Sequence, residues 1–214
     1  HNARAWADLG NALIEEKRYR EALEALQKAL ELKPGYSIAL MNVGFLYSIN
    51  NQPDLALRYW KRSLEAKPTY RTAYNVGLMV QLKGNKQEAL SYYEQAVQLK
   101  PRWSPALIRL AWLYATSPKA GLEQRQKAVK MAEKATRHLD GSNPFYLDTL
   151  AAAYAANGQF EKARQTQQQA LLAARGLNND PIQNALRLRL KAYQQSQPFT
   201  LPPHLLDPTL RTPR

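Results

Sequence analysis

Two asparagines, Asn42 and Asn75, stand in the matching contexts "MNVG" and "YNVG", and arginines (Arg4, Arg71, Arg109) and apolar residues (Phe45, Leu78, Trp112) recur around them. An Asn amide carries a donor and an acceptor together, so it can pair with a peptide unit whatever side chains that peptide bears. Arginine adds charge-assisted bonds to carboxylates, and large apolar side chains supply contact area. Such residues recognise a ligand without reacting with it. The reactive inventory is thin: there is no Cys, and the three His are His1, His138 and His204, scattered to the first residue, a helix end and a proline-rich tail. No HExxH, glycine-rich phosphate loop or Cys/His metal spacing occurs. Asp148 and Thr149 read as ordinary polar residues of a helix facing a groove. The expectation is a protein that is not an enzyme, with no cofactor, no metal and no small-molecule substrate.

Charge points the same way. The formal net charge is +13 among 214 residues, which suits an acidic partner or an anionic surface. It is uneven: residues 102–143 hold eight Lys/Arg against three Asp/Glu, and residues 181–214 hold five against one. Lys127, Lys130, Lys134 and Arg137 recur at helical spacing as a basic stripe. The ordinary reading is a solvated outer face; the alternatives are an anionic membrane surface or nucleic acid. Nucleic acid is the weaker of these, because no aromatic-interleaved basic motif is present. No run of about 18 apolar residues marks a membrane span. The opening at His1 reads as the start of an excised piece, with any anchor or address in what precedes it. Lack of cysteine leaves the compartment open between the cytoplasm and the periplasmic side of a bacterial envelope.

The elements that must hold these residues are set by an internal repeat of about 34 residues. "LQKALELKP", "WKRSLEAKP" and "YEQAVQLKP" close three segments at Pro34, Pro68 and Pro101. Each segment contains a glycine followed twelve positions later by alanine: Gly10 and Ala22, Gly44 and Ala56, Gly77 and Ala89. Two further copies pair Ala111 with Ala128 and Ala151 with Ala163. In each copy an apolar helix, a polar turn and an amphipathic helix follow in order. The small residues let two helix backbones approach. Between Ala111 and Ala128 there are seventeen positions, not twelve, so five residues are added near Ser117 to Gly121. Ser117-Pro118 stops the first helix there, and Gly121 is expected to permit a tight reversal. At the far end Asp180-Pro181 starts a capping helix with an apolar stripe of Ile182, Ala185, Leu186, Leu190 and Tyr193. The prolines from Pro198 onward then forbid helix.

Trp6, Leu9, Gly10, Leu13, Ala22, Leu26, Ala29 and Pro34, with their counterparts Leu40, Val43, Gly44, Tyr47, Ala56, Trp60 and Pro68, resemble the tetratricopeptide repeat. That resemblance implies an all-α, right-handed superhelix (solenoid) of antiparallel helix pairs, whose first helices line a concave groove. The expected division is five repeats, 3–36, 37–69, 70–102, 104–142 and 144–176, then a capping helix over 180–195 and a proline-rich extended tail over 196–214. Residues 104–200 further resemble the terminal repeats of bacterial tetratricopeptide proteins, some of them fused to membrane glycosyltransferase-like domains.

Helical spacing places on one face the residues six before, two before and one after each small residue. On a groove these are Arg4, Ile38, Arg71, Pro105 and Phe145; Asp8, Asn42, Asn75, Arg109 and Thr149; and Asn11, Phe45, Leu78, Trp112 and Ala152. Asn42 and Asn75 then resemble the asparagine ladder of O-GlcNAc-transferase-type arrays, although each can equally hydrogen-bond a neighbouring helix as scaffold, and Phe45 and Trp112, as large aromatics on helices, read as inter-repeat packing ahead of ligand anchors. Asn11, Asn42 and Arg71 also match part of the carboxylate clamp for acidic chaperone tails. Ala7 and Asn75 stand where that clamp carries charged residues, which argues against such a receptor. The expected function is a scaffold that binds a protein or extended peptide, acidic ones included, within a larger bacterial protein that could lie near a membrane. The rival readings are a self-association spacer forming a homo-oligomer and a basic surface for anionic membrane or nucleic acid.

Overall fold

The computed structural model describes residues 2–137, 143–177 and 180–200; His1, His138, His204 and the tail from residue 201 lie outside them. The described residues form helices and turns, grouped in two compact units that divide after Leu99.

The first unit holds α1 (Ala3–Glu15), α2 (Tyr19–Leu32), α3 (Ser37–Ile49), α4 (Pro53–Ala66), α5 (Tyr70–Leu82) and α6 (Lys86–Leu99), packed as consecutive pairs. Asn2 caps α1 by accepting from the Arg4 N–H at 3.0 Å, and Thr69 caps α5 by accepting from Thr72 at 3.2 Å. Within each pair the chain reverses through one left-handed residue: Lys17 at φ 60°, Asn51 at 55° and Gly84 at 86°. Its N–H reaches the carbonyl three back and the next N–H the carbonyl five back, as in Arg18 to Leu13 at 2.8 Å and Gln52 to Tyr47 at 2.9 Å. These are Schellman turns, which satisfy carbonyls a helix end would leave unpaired.

The pairs interlock because their glycines lack a Cβ. A Cβ on Gly10 would lie 2.6 Å from Leu26 Cγ, one on Gly44 2.6 Å from Trp60 Cδ1, and one on Gly77 2.8 Å from Tyr93 Cε1. The alanines twelve positions later, Ala22, Ala56 and Ala89, are fully buried. Trp60 is fixed further by donating from Nε1 to the Met41 carbonyl at 2.9 Å, and the Tyr93 hydroxyl donates to Gln81 Oε1 at 2.7 Å.

The second unit holds α7 (Ser104–Thr116), α8 (Leu122–Thr136), α9 (Pro144–Ala156), α10 (Phe160–Ala174), a single 3-10 turn at Arg175–Leu177 and α11 (Asp180–Gln194). The added residues Ser117 to Gly121 lie between α7 and α8. Gly121 has φ −71°, an angle open to any residue, so the expected glycine-dependent reversal is corrected: the loop turns by its length, with Ala120 buried beneath it and the Gly121 N–H bonded to Gln124 Oε1 at 3.2 Å. Asn143 caps α9 through Phe145 N at 3.0 Å, with Pro144 in the first turn where its missing N–H is harmless.

The Schellman turn returns at Gly158 (φ 76°) after α9 and at Ser196 (φ 54°) after α11, where Gln197 donates to Ala192 at 3.0 Å. Thus α11 ends as the first helix of a pair ends. Seven positions before the left-handed residue stand Gly10, Gly44, Gly77 and Ala151 in the pairs, and Arg189 in α11. The outer residues of α11, Asn184, Arg187, Leu188 and Lys191, are exposed and mostly polar.

Two phenols are held neutral by this packing. Burial, then the Glu133 carboxylate that accepts the Tyr154 hydroxyl at 2.9 Å, pushes the Tyr154 pKa up to about 12. Burial and the Asp148 charge push Tyr193 up as well. A raised folded pKa on a group that is neutral when protonated means stability is complete below the unfolded value of about 10 and falls as pH climbs through the folded one. Tyr154→Phe is therefore expected to flatten the decline in melting temperature between pH 10 and about 12; identical alkaline profiles for the two proteins would contradict this.

Candidate ligand-binding faces

In the first unit, α1, α3 and α5 carry the expected recognition residues, and helical periodicity puts them on one face of each helix. On α3, Ile38 and Phe45 are seven positions apart and both stay exposed, at 43% and 37%. Asn42, between them and half-buried, donates from Nδ2 to Asn11 Oδ1 on α1. That bond uses one donor of Asn42 and one acceptor lone pair of Asn11, leaving each amide with capacity for a further partner. On α5, Arg71, Asn75, Leu78 and Leu82 follow at helical spacing. Arg71 is exposed with its guanidinium carbon 5.7 Å from the Tyr70 ring centre, and Leu78 is half-buried. Asn75 is half-buried, and its side chain has no hydrogen-bond partner among the described residues. Arg4 is exposed at one end, its Nε 3.6 Å from Asp8.

The second unit treats its expected residues differently. Arg109 is half-buried. Trp112 is only 2% exposed, so of its two readings, packing and groove lining, its burial fits packing. Thr149 donates back to the Phe145 carbonyl at 3.0 Å within its own helix. Asp148 is not an ordinary groove residue: at 1% exposure its carboxylate accepts from Arg189 Nε at 2.7 Å, Arg189 Nη2 at 2.6 Å and Gln167 Nε2 at 2.8 Å. Gln167 also reaches the Leu186 carbonyl at 3.1 Å, so α9, α10 and α11 share one polar knot. Nearby, Trp112 Nε1 and the Tyr193 hydroxyl are buried with no hydrogen-bond partner among the described residues. Spacing on α11 could have flagged the knot, since Leu186, Arg189 and Tyr193 fall on one stripe with an arginine where an apolar residue is expected.

The basic stripe of α8 is partly spent. Lys127 pairs with Glu123 at 2.6 Å, and Lys134 donates to the Pro101 carbonyl at 2.8 Å, an end-capping contact matched by Arg62 on the Pro34 carbonyl at 3.2 Å. Lys130 and Arg137 are exposed. Among the described residues no group of His, Cys, Asp or Glu could hold a metal ion, and no helix is long and apolar enough to cross a membrane.

Comparison with known proteins agrees with this architecture. Tetratricopeptide-repeat family models match residues 3–36 and 49–102. No curated protein matches the chain. Among solved structures, YrrB, a tetratricopeptide protein described as having an unusual peptide-binding site, is 19% identical with a TM-score of 0.69, over 87% of this chain and 92% of that one. PilF of Pseudomonas aeruginosa is 20% identical with a TM-score of 0.61, over 90% and 95%. MamA of Desulfovibrio magneticus RS-1 is 18% identical with a TM-score of 0.62, over 83% and 97%. At such identities the likeness is one of fold. Tetratricopeptide arrays are in general interaction scaffolds, and with its glycine-interlocked helix pairs and its family-model matches the chain carries tetratricopeptide repeats over residues 3–36 and 49–102.

Proposed function

We propose that the first unit binds an extended segment of a protein partner along the face shared by α1, α3 and α5. The observation that carries this reading is the amide of Asn75, which makes no bond among the described residues and stands between exposed Arg71 and the apolar Leu78 and Leu82. That amide reaches solvent, so water pairs with it in the free protein and the backbone of a partner can take the water's place. A peptide backbone supplies a donor and an acceptor at each residue, while Ile38 and Phe45 offer apolar contact and Arg4 and Arg71 favour acidic side chains. YrrB, a protein of the same fold, is described as having an unusual peptide-binding site, so peptide binding on this fold has a precedent. The five repeats 3–36, 37–69, 70–102, 104–142 and 144–176 form the interaction module of a larger bacterial protein in this reading, and no catalysis is assigned to it.

The test uses the full chain as bait in a peptide-display selection, followed by titration of the recovered peptides. Asn42→Ala combined with Asn75→Ala should weaken them about tenfold, the worth of roughly one good hydrogen bond, with a melting temperature close to that of the parent. Unchanged affinity together with a large fall in melting temperature would make both residues scaffold and sink the reading.

A second reading rests on charge. Residues 100–214 carry seventeen Lys/Arg against seven Asp/Glu, so ten of the thirteen net positive charges lie there. Lys130 and Arg137, the stripe members turned to solvent, would then meet an anionic surface. The engaged Lys127 and Lys134 reduce what the stripe offers, which favours the peptide reading.

A further inference from the structure

Several elements of the second unit converge on one side chain. Arg189 lies inside α11 and is 4% exposed. Its Nε and Nη2 meet the two oxygens of Asp148 at 2.7 and 2.6 Å, the fork-to-fork geometry that a guanidinium and a carboxylate share. The Trp112 ring of α7 and the Phe199 ring beyond α11 have their centres 5.4 and 5.2 Å from its guanidinium carbon. Gln167 of α10 steadies the carboxylate at 2.8 Å. A carboxylate supplies opposite charge and two coplanar acceptors, and aromatic faces supply the quadrupole that attracts a flat, weakly hydrated cation. A compact ammonium would match the charge alone.

We propose that Asp148, Gln167, Trp112 and Phe199 form a guanidinium-binding site, and that α11 is its ligand in cis. The ion pair thus adds a charged latch to the apolar contacts that Ile182, Leu186, Ala192 and Tyr193 make in the core of the second unit. Besides Arg189, α11 buries Leu186 and Tyr193, three residues in all, as few as α1, α4 and α6 each bury. The turn at Ser196 adds to this. A serine there holds a left-handed conformation that glycine adopts more readily, and the reversal brings Phe199 back over the site. The ligand class is an arginine side chain, with Arg189 its resident occupant. This inference is independent of the peptide reading of the first unit.

The test is chemical rescue in the full chain. Arg189→Gly is expected to melt lower than the parent, and millimolar methylguanidinium should raise its melting temperature while equal methylammonium or sodium chloride does not, by the linkage of ligand binding to folding. The parent, already occupied, should not respond. Adding Asp148→Asn to Arg189→Gly should abolish the rescue. Equal shifts from both organic cations, or rescue that persists without the Asp148 charge, would overturn the site. Should Arg189→Gly fail to fold, Arg189→Lys keeps the charge and much of the volume. It should melt lower than the parent and move the Trp112 indole N–H resonance; a variant indistinguishable from the parent in both readouts would reduce Arg189 to a generic buried cation and refute the proposal.

Discussion

Gly44→Ala is expected to destabilise the protein by about 2 kcal/mol, even though alanine is the better helix former by nearly 1 kcal/mol. The added methyl would lie 2.6 Å from both Cδ1 and Nε1 of Trp60. That ring is 3% exposed and cannot retreat without releasing its bond to the Met41 carbonyl at 2.9 Å. Overpacking of this kind costs roughly 1–3 kcal/mol, and a buried indole N–H left unpaired costs about as much again. Gly35→Ala is the matched control, since nothing lies within 4 Å of a Cβ there. It should leave stability unchanged or raise it by a few tenths of a kcal/mol. Thermal unfolding of the two variants decides the matter: equal melting temperatures would show that the glycines are not steric keys.

Asp148→Ala is expected to cost more, about 3–5 kcal/mol, because it leaves the Arg189 guanidinium buried without its counter-charge. The buried amide of Gln167 would lose an acceptor in the same step. Repeat architectures transmit damage mainly to neighbours, so amide exchange should accelerate in α9, α10 and α11 and stay near parent rates in α1 to α4. Replacing Asp148 and Arg189 together by Leu and Met should recover most of the loss, because an apolar pair of similar volume often equals a buried ion pair. Strictly additive costs in that double-mutant cycle would show that the two side chains act separately.

These effects differ in how visible they are in the sequence. The glycine and alanine of each pair recur at a fixed interval because every repeat meets the same steric demand, and repetition makes the demand legible without any structure. The helix pairs of the all-α solenoid are legible for the same reason. Asp148 and Arg189 are forty-one positions apart and occur once, so no period announces them. An aspartate on a helix looks alike whether it faces water or a buried guanidinium. Trp112 admits two readings from its place in the repeat, groove lining and packing, and its burial beside the Phe199 ring fits packing. Asn42 shows both outcomes at once, bonded to Asn11 yet keeping capacity to spare. Gly121 was open to misreading because glycine usually marks a left-handed turn, whereas here Lys17, Asn51 and Ser196 take that conformation.

The turn after α11 carries a consequence for how long such an array can grow. Tandem repeats lengthen by copying, and nothing in the pairing of helices sets a limit of itself. In four pairs the residue seven before the left-handed turn is glycine or alanine, and where it is glycine a Leu, Trp or Tyr of the second helix seats against it. With Arg189 at that place, a second helix could not seat against α11 as closely as α4 seats against Gly44. The position that elsewhere admits a neighbouring helix is spent here on a clasp to Asp148, so one side chain exchanges a joint between helices for a fastening.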